Sequence, residues 1–574
     1  MVKMRSAGPC ALLLALVFIM PGPSILASAP PTVQKEWTIM VYEDGDNNLE
    51  PAGVHDVNEM ETVGSTADIN VIVQFDRCAG YDTTNGNWEG AKRYYITKDS
   101  DPNIISSTEV GDLGEVNMGD PETFINFTTW AVDHYPARRY LVVFWDHGGG
   151  WHGACWDDTD ADYLDLNNIS TGLDALKEHL GRPVDVVGFD TCLMAGIEIL
   201  YQLRGTCDVA VVSGTTEPDD GWPYDWILPA LAMKPQMTRE ELATEITNDY
   251  VNSYTDGQPD PQDTVTSTMS AWNMSLVGGL FEQFDQLSMR LAMKALTYNA
   301  YLRETRDTTQ SYDPQHVVFL DISNYPLYDI YDFCQNFLKP AGGPFLGLVI
   351  DQAIKKNMQT VQDIILGARI AERHGPRYPD GWGLTVYYPS GDNSPSPVTP
   401  RTQYDPRYEN IDFSRDLYWD DFLKAYVGLK NIPDTPPYVT ISSPVEGAIL
   451  NARDGKVTVS GTAFDTGSVT IVEVKIDNGS WTKAEGNVNW EFSWSIARMG
   501  GKHTLTARAS DGFGTSPEIS RTFTVTPSSG GVAGAGYALA GVVVVFGALA
   551  VVMFLYFRRR GPVFWLLRGG KGGQ

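Results

Sequence analysis

The chain has 574 residues, 43% of them hydrophobic and 20% charged, with a formal charge of −30 from 42 basic and 72 acidic side chains. That composition excludes intrinsic disorder, and the length suggests about three to four domains. The acidic balance excludes a nucleic-acid binder, because phosphate partners require basic patches.

Residues 1–29 read as a signal peptide: Lys3 and Arg5 precede the apolar run ALLLALVFIM, and Ala27 and Ala29 offer a cleavage site. Its removal takes Cys10 and leaves Cys78, Cys155, Cys192, Cys207 and Cys334. An odd count outside the cell leaves at least one thiol unpaired within the chain. Sequons stand at Asn126, Asn168, Asn273 and Asn478. From Trp37 to about Tyr254, apolar runs alternate with helical patterns. WTIMVY (37–42), NVIVQF (70–75), RYLVVFW (139–145), VDVVGF (184–189) and DVAVVS (208–213) are near-continuous, as strands covered on both faces are. Asp120 and Pro121 open one helix, with Phe124, Phe127 and Ala131 at helical spacing, and Thr238 with Glu241 forms a capping box before another. The alternation predicts a three-layer α/β sandwich on a mostly parallel sheet. More helical material is expected up to about 373, then a late strand at GLTVYYPS (383–390).

A Pro-rich linker (431–437) separates this region from residues 438–526. There KVTVSGT, IVEVKI, WEFSWS, HTLTARA and RTFTVT alternate in polarity between tight turns, which predicts an all-β sandwich of immunoglobulin-like type. A flexible segment (527–536) leads to YALAGVVVVFGALAVVMFLYF (537–557), uncharged and long enough to span a bilayer. Arg558, Arg559 and Arg560 follow, so the positive-inside rule puts the tail (558–574) in the cytoplasm and the rest outside a single-pass membrane protein.

Parallel sheets carry their functional groups at the carboxyl ends of strands. Two strands here end in reactive residues, LVVFWDHGGGW with His147 and VDVVGFDTC with Cys192. An imidazole accepts the proton of a thiol nucleophile, and the helix expected directly after Cys192 would favour thiolate. Gly148 admits a close backbone approach, and its N–H with that of Cys192 would hold an oxyanion.

These two blocks, with WTIMVYEDGDNNLE before them and SGTTEPDDGWPYD and GLTVYYPS after, resemble the clostripain family of cysteine endopeptidases. The resemblance spans about residues 36–430. It implies a caspase-like fold shared with gingipains, legumains and caspases, His147 as general acid/base, Cys192 as nucleophile and an acyl-enzyme intermediate. It also implies cleavage after Arg or Lys, with acid in the S1 pocket. Asp190 takes that position two residues before the thiol, Asp220, Glu217 and Asp219 are further candidates, and Trp222 is expected either to border the pocket or to be an ordinary core residue. A buried guanidinium needs such a carboxylate.

Some members of that family cleave themselves at a basic residue between the catalytic His and Cys. Here HGACWDDTDADYLDLNNIS has no Lys or Arg before Lys177, which argues against self-cleavage at that loop. The loop is solvated by default, but could bind Ca²⁺ or a basic substrate. YEDGDNNLE also carries calcium-type ligands, but Leu49 at position six and His55 at position twelve exclude an EF-hand. No metal ligand set is identified, and the sequence requires no cofactor. His152 lacks a third partner at zinc spacing and is assigned to the cleft wall or the surface. The HGGG run suggests a serine esterase, but no G-x-S-x-G occurs. The competing class is an inactive, peptidase-like adhesion or receptor protein that binds through its β-sandwich.

Overall fold

In the computed structural model, residues 34–255, 266–312, 326–339, 343–390, 404–429, 437–452, 455–464, 469, 471–496, 500–510 and 515–527 are described. The segments expected as signal peptide, membrane span and cytoplasmic tail, and residues 431–436 of the expected linker, lie outside them. Among the described residues no helix is long and apolar enough to cross a membrane. The chain divides at Asn431/Ile432 into two compact units.

The first unit is built on nine strands: β1 (Lys35–Gly45), β2 (Ile69–Arg77), β3 (Ala91–Tyr95), β4 (Thr108–Gly114), β5 (Ala137–Trp145), β8 (Val184–Asp190), β9 (Cys207–Val212), β10 (Thr268–Asn273) and β12 (Arg369–His374). Their spatial order is β12-β10-β9-β8-β5-β1-β2-β3-β4. The five strands read from apolar runs form the parallel centre, β9-β8-β5-β1-β2. At each edge an antiparallel pair closes the sheet. Those edge strands escape the sequence pattern: β4 is TEVGDLG and mostly exposed, and β12 is RIAERH with charges on an edge. The region up to about 373, expected to be helical, therefore also contributes β10, directly before helix Met274–Thr308, and β12, directly after helix Gln352–Ala368.

Side chains alternate across the pleat, so each central strand feeds two cores. Ile39, Val41, Val143 and Val186 join one core with α1 (Glu50–Glu61), α5 (Tyr224–Met233) and α6 (Arg239–Ser253). On the other face Tyr42, Phe144 and Phe189 meet Phe124 of α2 (Pro121–His134), the rings 4.8 to 5.4 Å apart along the row. Helices thus cover both faces of a mixed sheet. The expected caps form: Asp120 accepts from the Glu122 N–H at 3.0 Å, and Thr238 and Glu241 make the reciprocal box. GLTVYYPS does contain a strand, β13 (Thr385–Tyr387), but it pairs with β11 (Leu327–Asp329) outside the main sheet. A small hairpin, β6 (Ala154–Asp157) with β7 (Asp162–Leu164), carries the acidic loop.

The second unit stacks a three-stranded and a five-stranded sheet, with all five predicted runs in strands. Its core is apolar: Val459, Val472, Trp490, Leu505 and Phe523 are almost wholly enclosed.

Candidate active site

β5 and β8 are parallel neighbours with Trp145 opposite Asp190, so two residues further on His147 and Cys192 leave the sheet side by side. Both line one cleft of about 230 Å³ with Asn48, Asp190, Glu217 and Asp219. Gly148 is pressed against the Cys192 backbone: a Cβ there would lie 2.0 Å from the Cys192 carbonyl oxygen. Only glycine permits this approach, and it brings the Gly148 N–H to the sulfur. The Glu217 N–H also donates to Sγ, at 3.2 Å. Two backbone donors therefore converge where charge on sulfur or oxygen would develop.

Burial pushes the Cys192 thiol up to about 11, against the two N–H donors, while Asp146 and Asp219 raise it further. Burial likewise lowers the His147 imidazole, which Asp219 and Asp158 partly offset. Burial thus disfavours the charged form of both groups. The expected helix dipole behind Cys192 is absent. Leu193 takes a left-handed conformation, and Leu193 and Ala195 donate to Thr215 and Ser213 beyond β9. α4 (Ile197–Gln202) begins only at Ile197. The segment LMAG is apolar enough to look helical, but it is bound into the strand ends instead.

Asn48, which the sequence reading left out, sits in the loop after β1 and accepts from His147 Nε2 at 2.9 Å. That bond places the proton on Nε2 and makes Nδ1 the basic nitrogen. In the sequence it is one residue of WTIMVYEDGDNNLE, and only the pairing of β1 with β5 shows that it meets His147.

Asp190 is buried, accepting from the Trp222 N–H at 3.0 Å and the Tyr224 hydroxyl at 2.8 Å. Glu217 hydrogen-bonds its carboxyl, and burial still pushes Asp190 up to about 7. Behind it lie Asp56, whose Oδ2 accepts from Trp145 Nε1 at 2.6 Å, and Glu43, neither oxygen of which is hydrogen-bonded. Burial raises both strongly; Asp56 and Asp190 raise Glu43 further, and Asp190 and Glu59 raise Asp56 further. Neither was singled out in sequence. They lie inside regular elements, where acid signals nothing until the face it occupies is known.

Trp222 takes the core position, the alternative to bordering the pocket. Its ring is buried against Gly188 and its N–H fixes Asp190, so it holds the pocket acid from behind rather than bordering the cleft. Asp220 is exposed and outside the cleft lining, while its neighbour Asp219 is within it. His152 stacks on Trp151 at 3.9 Å, away from the cleft. Cys78, Cys155, Cys207 and Cys334 are buried free thiols.

A thiol and an imidazole at adjacent parallel strand ends, above buried acid, define the cysteine-nucleophile class of α/β site. The chain belongs to the clostripain family, whose sequence profile matches residues 41–426. A bacterial Ig domain profile matches residues 437–507. Clostripain of Hathewaya histolytica is 26% identical over 352 residues, covering 53% of this chain and 65% of that protein. This chain therefore matches less than two thirds of that relative's length. Among solved structures, a secreted C11 cysteine protease from Bacteroides thetaiotaomicron bound to an irreversible peptide inhibitor is similar at 21% identity and TM-score 0.47, over 68% of this chain and 99% of that one. An inactive zymogen C11 protease from Parabacteroides distasonis is similar at 17% identity and TM-score 0.48, over 68% and 100%.

Proposed function

We propose that this protein is a cysteine endopeptidase that cleaves after Arg or Lys through a Cys192–His147 dyad. The observation that carries the reading is the in-register exit of the two side chains into one cleft, supported by family membership. His147 Nδ1 takes the Sγ proton as sulfur bonds to the scissile carbonyl carbon. The resulting oxyanion lies against backbone N–H groups of Gly148 and Cys192. His147 then returns the proton to the departing amine. Water hydrolyses the thioester, releasing the acid product and restoring the thiol.

The basic preference rests on the acid beneath the cleft. Asp190 and Glu217 stand in its lining, with Asp56 and Glu43 buried behind and Asp220 near the rim. Several carboxyl groups packed without a cation hold protons, and an entering guanidinium or ammonium would replace those protons with paired charge. Trp222 keeps Asp190 in place through its N–H. The fold is read as caspase-like. Extracellular placement on a single C-terminal span is proposed from the sequence of residues 537–560 alone.

The test uses the purified full chain on matched peptides with Arg, Lys or Leu before the scissile bond. Cleavage after Arg or Lys at least about a hundredfold faster than after Leu, and lost in Cys192→Ala, is expected. Cleavage that persists in Cys192→Ala, or that is equal after Arg and Leu, overturns the assignment or its specificity, respectively.

A further inference from the structure

The loop after β9 holds one residue whose backbone touches the sulfur while its side chain lines the same cleft. The Glu217 N–H donates to Cys192 Sγ at 3.2 Å, and the Glu217 carbonyl oxygen lies 3.9 Å from that sulfur. An N–H favours negative charge on sulfur, whereas a carbonyl accepts from S–H and favours the thiol. A small rotation at residue 217 therefore trades one state against the other. The loop is tied on both sides of this point. Thr215 accepts from the Leu193 N–H at 2.9 Å and donates its hydroxyl to the Thr266 carbonyl at 3.0 Å. Pro218 restricts the backbone of Glu217 from the other side, so a pull on the side chain reaches its own N–H.

The Glu217 carboxyl is left incomplete. Both its oxygens are buried, and among the described residues no N–H or O–H is in hydrogen-bonding geometry with either. The nearby Ser213 hydroxyl donates to the Thr215 carbonyl at 3.1 Å instead. The Tyr250 hydroxyl of α6 is also buried without a partner, and of the charges around it Glu217 acts on it most. Facing the carboxyl are Asp190 of β8, Tyr250, and Tyr254 directly after α6. Facing Sγ are His147 and Asp146 beyond β5 and Asp219 in the loop of Glu217 itself. The cleft lining contains no lysine or arginine. Burial pushes the Glu217 carboxyl well above the usual carboxylate range, and Asp190 and Cys192 raise it further. A buried carboxylate in that condition is costly until a cation completes it.

We propose that Glu217 is a positioning residue that couples the specificity pocket to the nucleophile: a substrate cation pairs with its carboxylate and thereby locks its N–H onto Cys192 Sγ. The inference rests on the basic specificity proposed above. The proton given up by the Glu217 carboxyl leaves to solvent, and the thiol proton passes to His147 Nδ1 as in the reaction already described. The locked N–H stabilises the charge that develops on sulfur, so the thiol reacts fastest once a basic side chain is seated. Between turnovers it is correspondingly less open to oxidants and alkylating agents.

The experiment follows alkylation of Cys192 by iodoacetamide across pH in the full chain, with and without saturating propylguanidine. This probe reproduces the arginine side chain and carries no carbonyl. Mass spectrometry locates the adduct, and calorimetry measures binding of the probe separately. Propylguanidine should speed alkylation about tenfold at neutral pH, by moving the pH–rate profile about one unit toward acid. Glu217→Gln keeps the N–H and the shape but forms no ion pair, and the acceleration should be lost in it. Probe that binds yet leaves the profile of the unaltered chain unmoved, or moves that of Glu217→Gln equally, overturns the coupling and leaves the basic specificity standing. Probe that does not bind overturns both. The unaltered chain alone decides the matter should Glu217→Gln not fold.

Discussion

At the residue scale, burial opposes charge on both halves of the Cys192–His147 pair. Burial pushes the thiol up to about 11 and lowers the imidazole, so in the proposed reaction the proton moves during attack rather than before it. Orientation of His147 then matters more than its charge, and Asn48 supplies orientation through the 2.9 Å bond to Nε2. Asn48→Ala should lower kcat about tenfold to a hundredfold, within the range of general-base catalysis, with KM little changed. Asn48→Gln, which keeps the carbonyl acceptor, should recover part of the loss. Steady-state kinetics on an Arg peptide decide it. A rise in KM at constant kcat would make Asn48 a substrate contact instead of a positioning residue.

Among elements, the central strands were legible because burial on both faces writes an unbroken apolar run. β8 is enclosed along its whole length, and its in-register pairing with β5 carried Cys192 to His147 as expected. The edge strands were not legible. β4 and β12 answer to solvent on one side, and their charges erase the period that would reveal them. The turn after Cys192 failed for a different reason. LMAGIEIL has helical composition, yet long-range bonds to Ser213 and Thr215 override it until Ile197. Asn48 and Asp56 belong to a third class. Their roles depend on which strand lies beside which, and a single sequence does not contain the order β5-β1-β2.

At the scale of the molecule, the acid is not confined to the surface: among the described residues fifteen of the chain's 72 acidic side chains are buried. Glu59, Asp190, Glu198 and Asp329 are each pushed up to about 7, burial being the largest cause in every case. Between about pH 4 and 7 the native chain holds protons there that the unfolded chain has released, so stability falls as pH rises through that window. Buried His147 and His152 act oppositely below about 6.5, since both are lowered, but two imidazoles face four carboxyls. Scanning calorimetry without divalent cations should therefore give a Tm several degrees higher at pH 5 than at pH 8. A higher Tm at pH 8 would mean that the buried acid is compensated by charge elsewhere.

The central claim is that Cys192 attacks a carbonyl held above buried acid, and covalent capture tests it most directly. The full chain is treated with a peptidyl chloromethyl ketone ending in Arg, and the modified residue is located by peptide mass spectrometry. The account predicts a single adduct on Cys192, formed far more slowly with the Leu analogue and slowed in Asp190→Asn, while iodoacetamide alkylation of the thiol is unaffected by that exchange. Labelling of a different residue, or equal labelling by the Arg and Leu reagents, would contradict it.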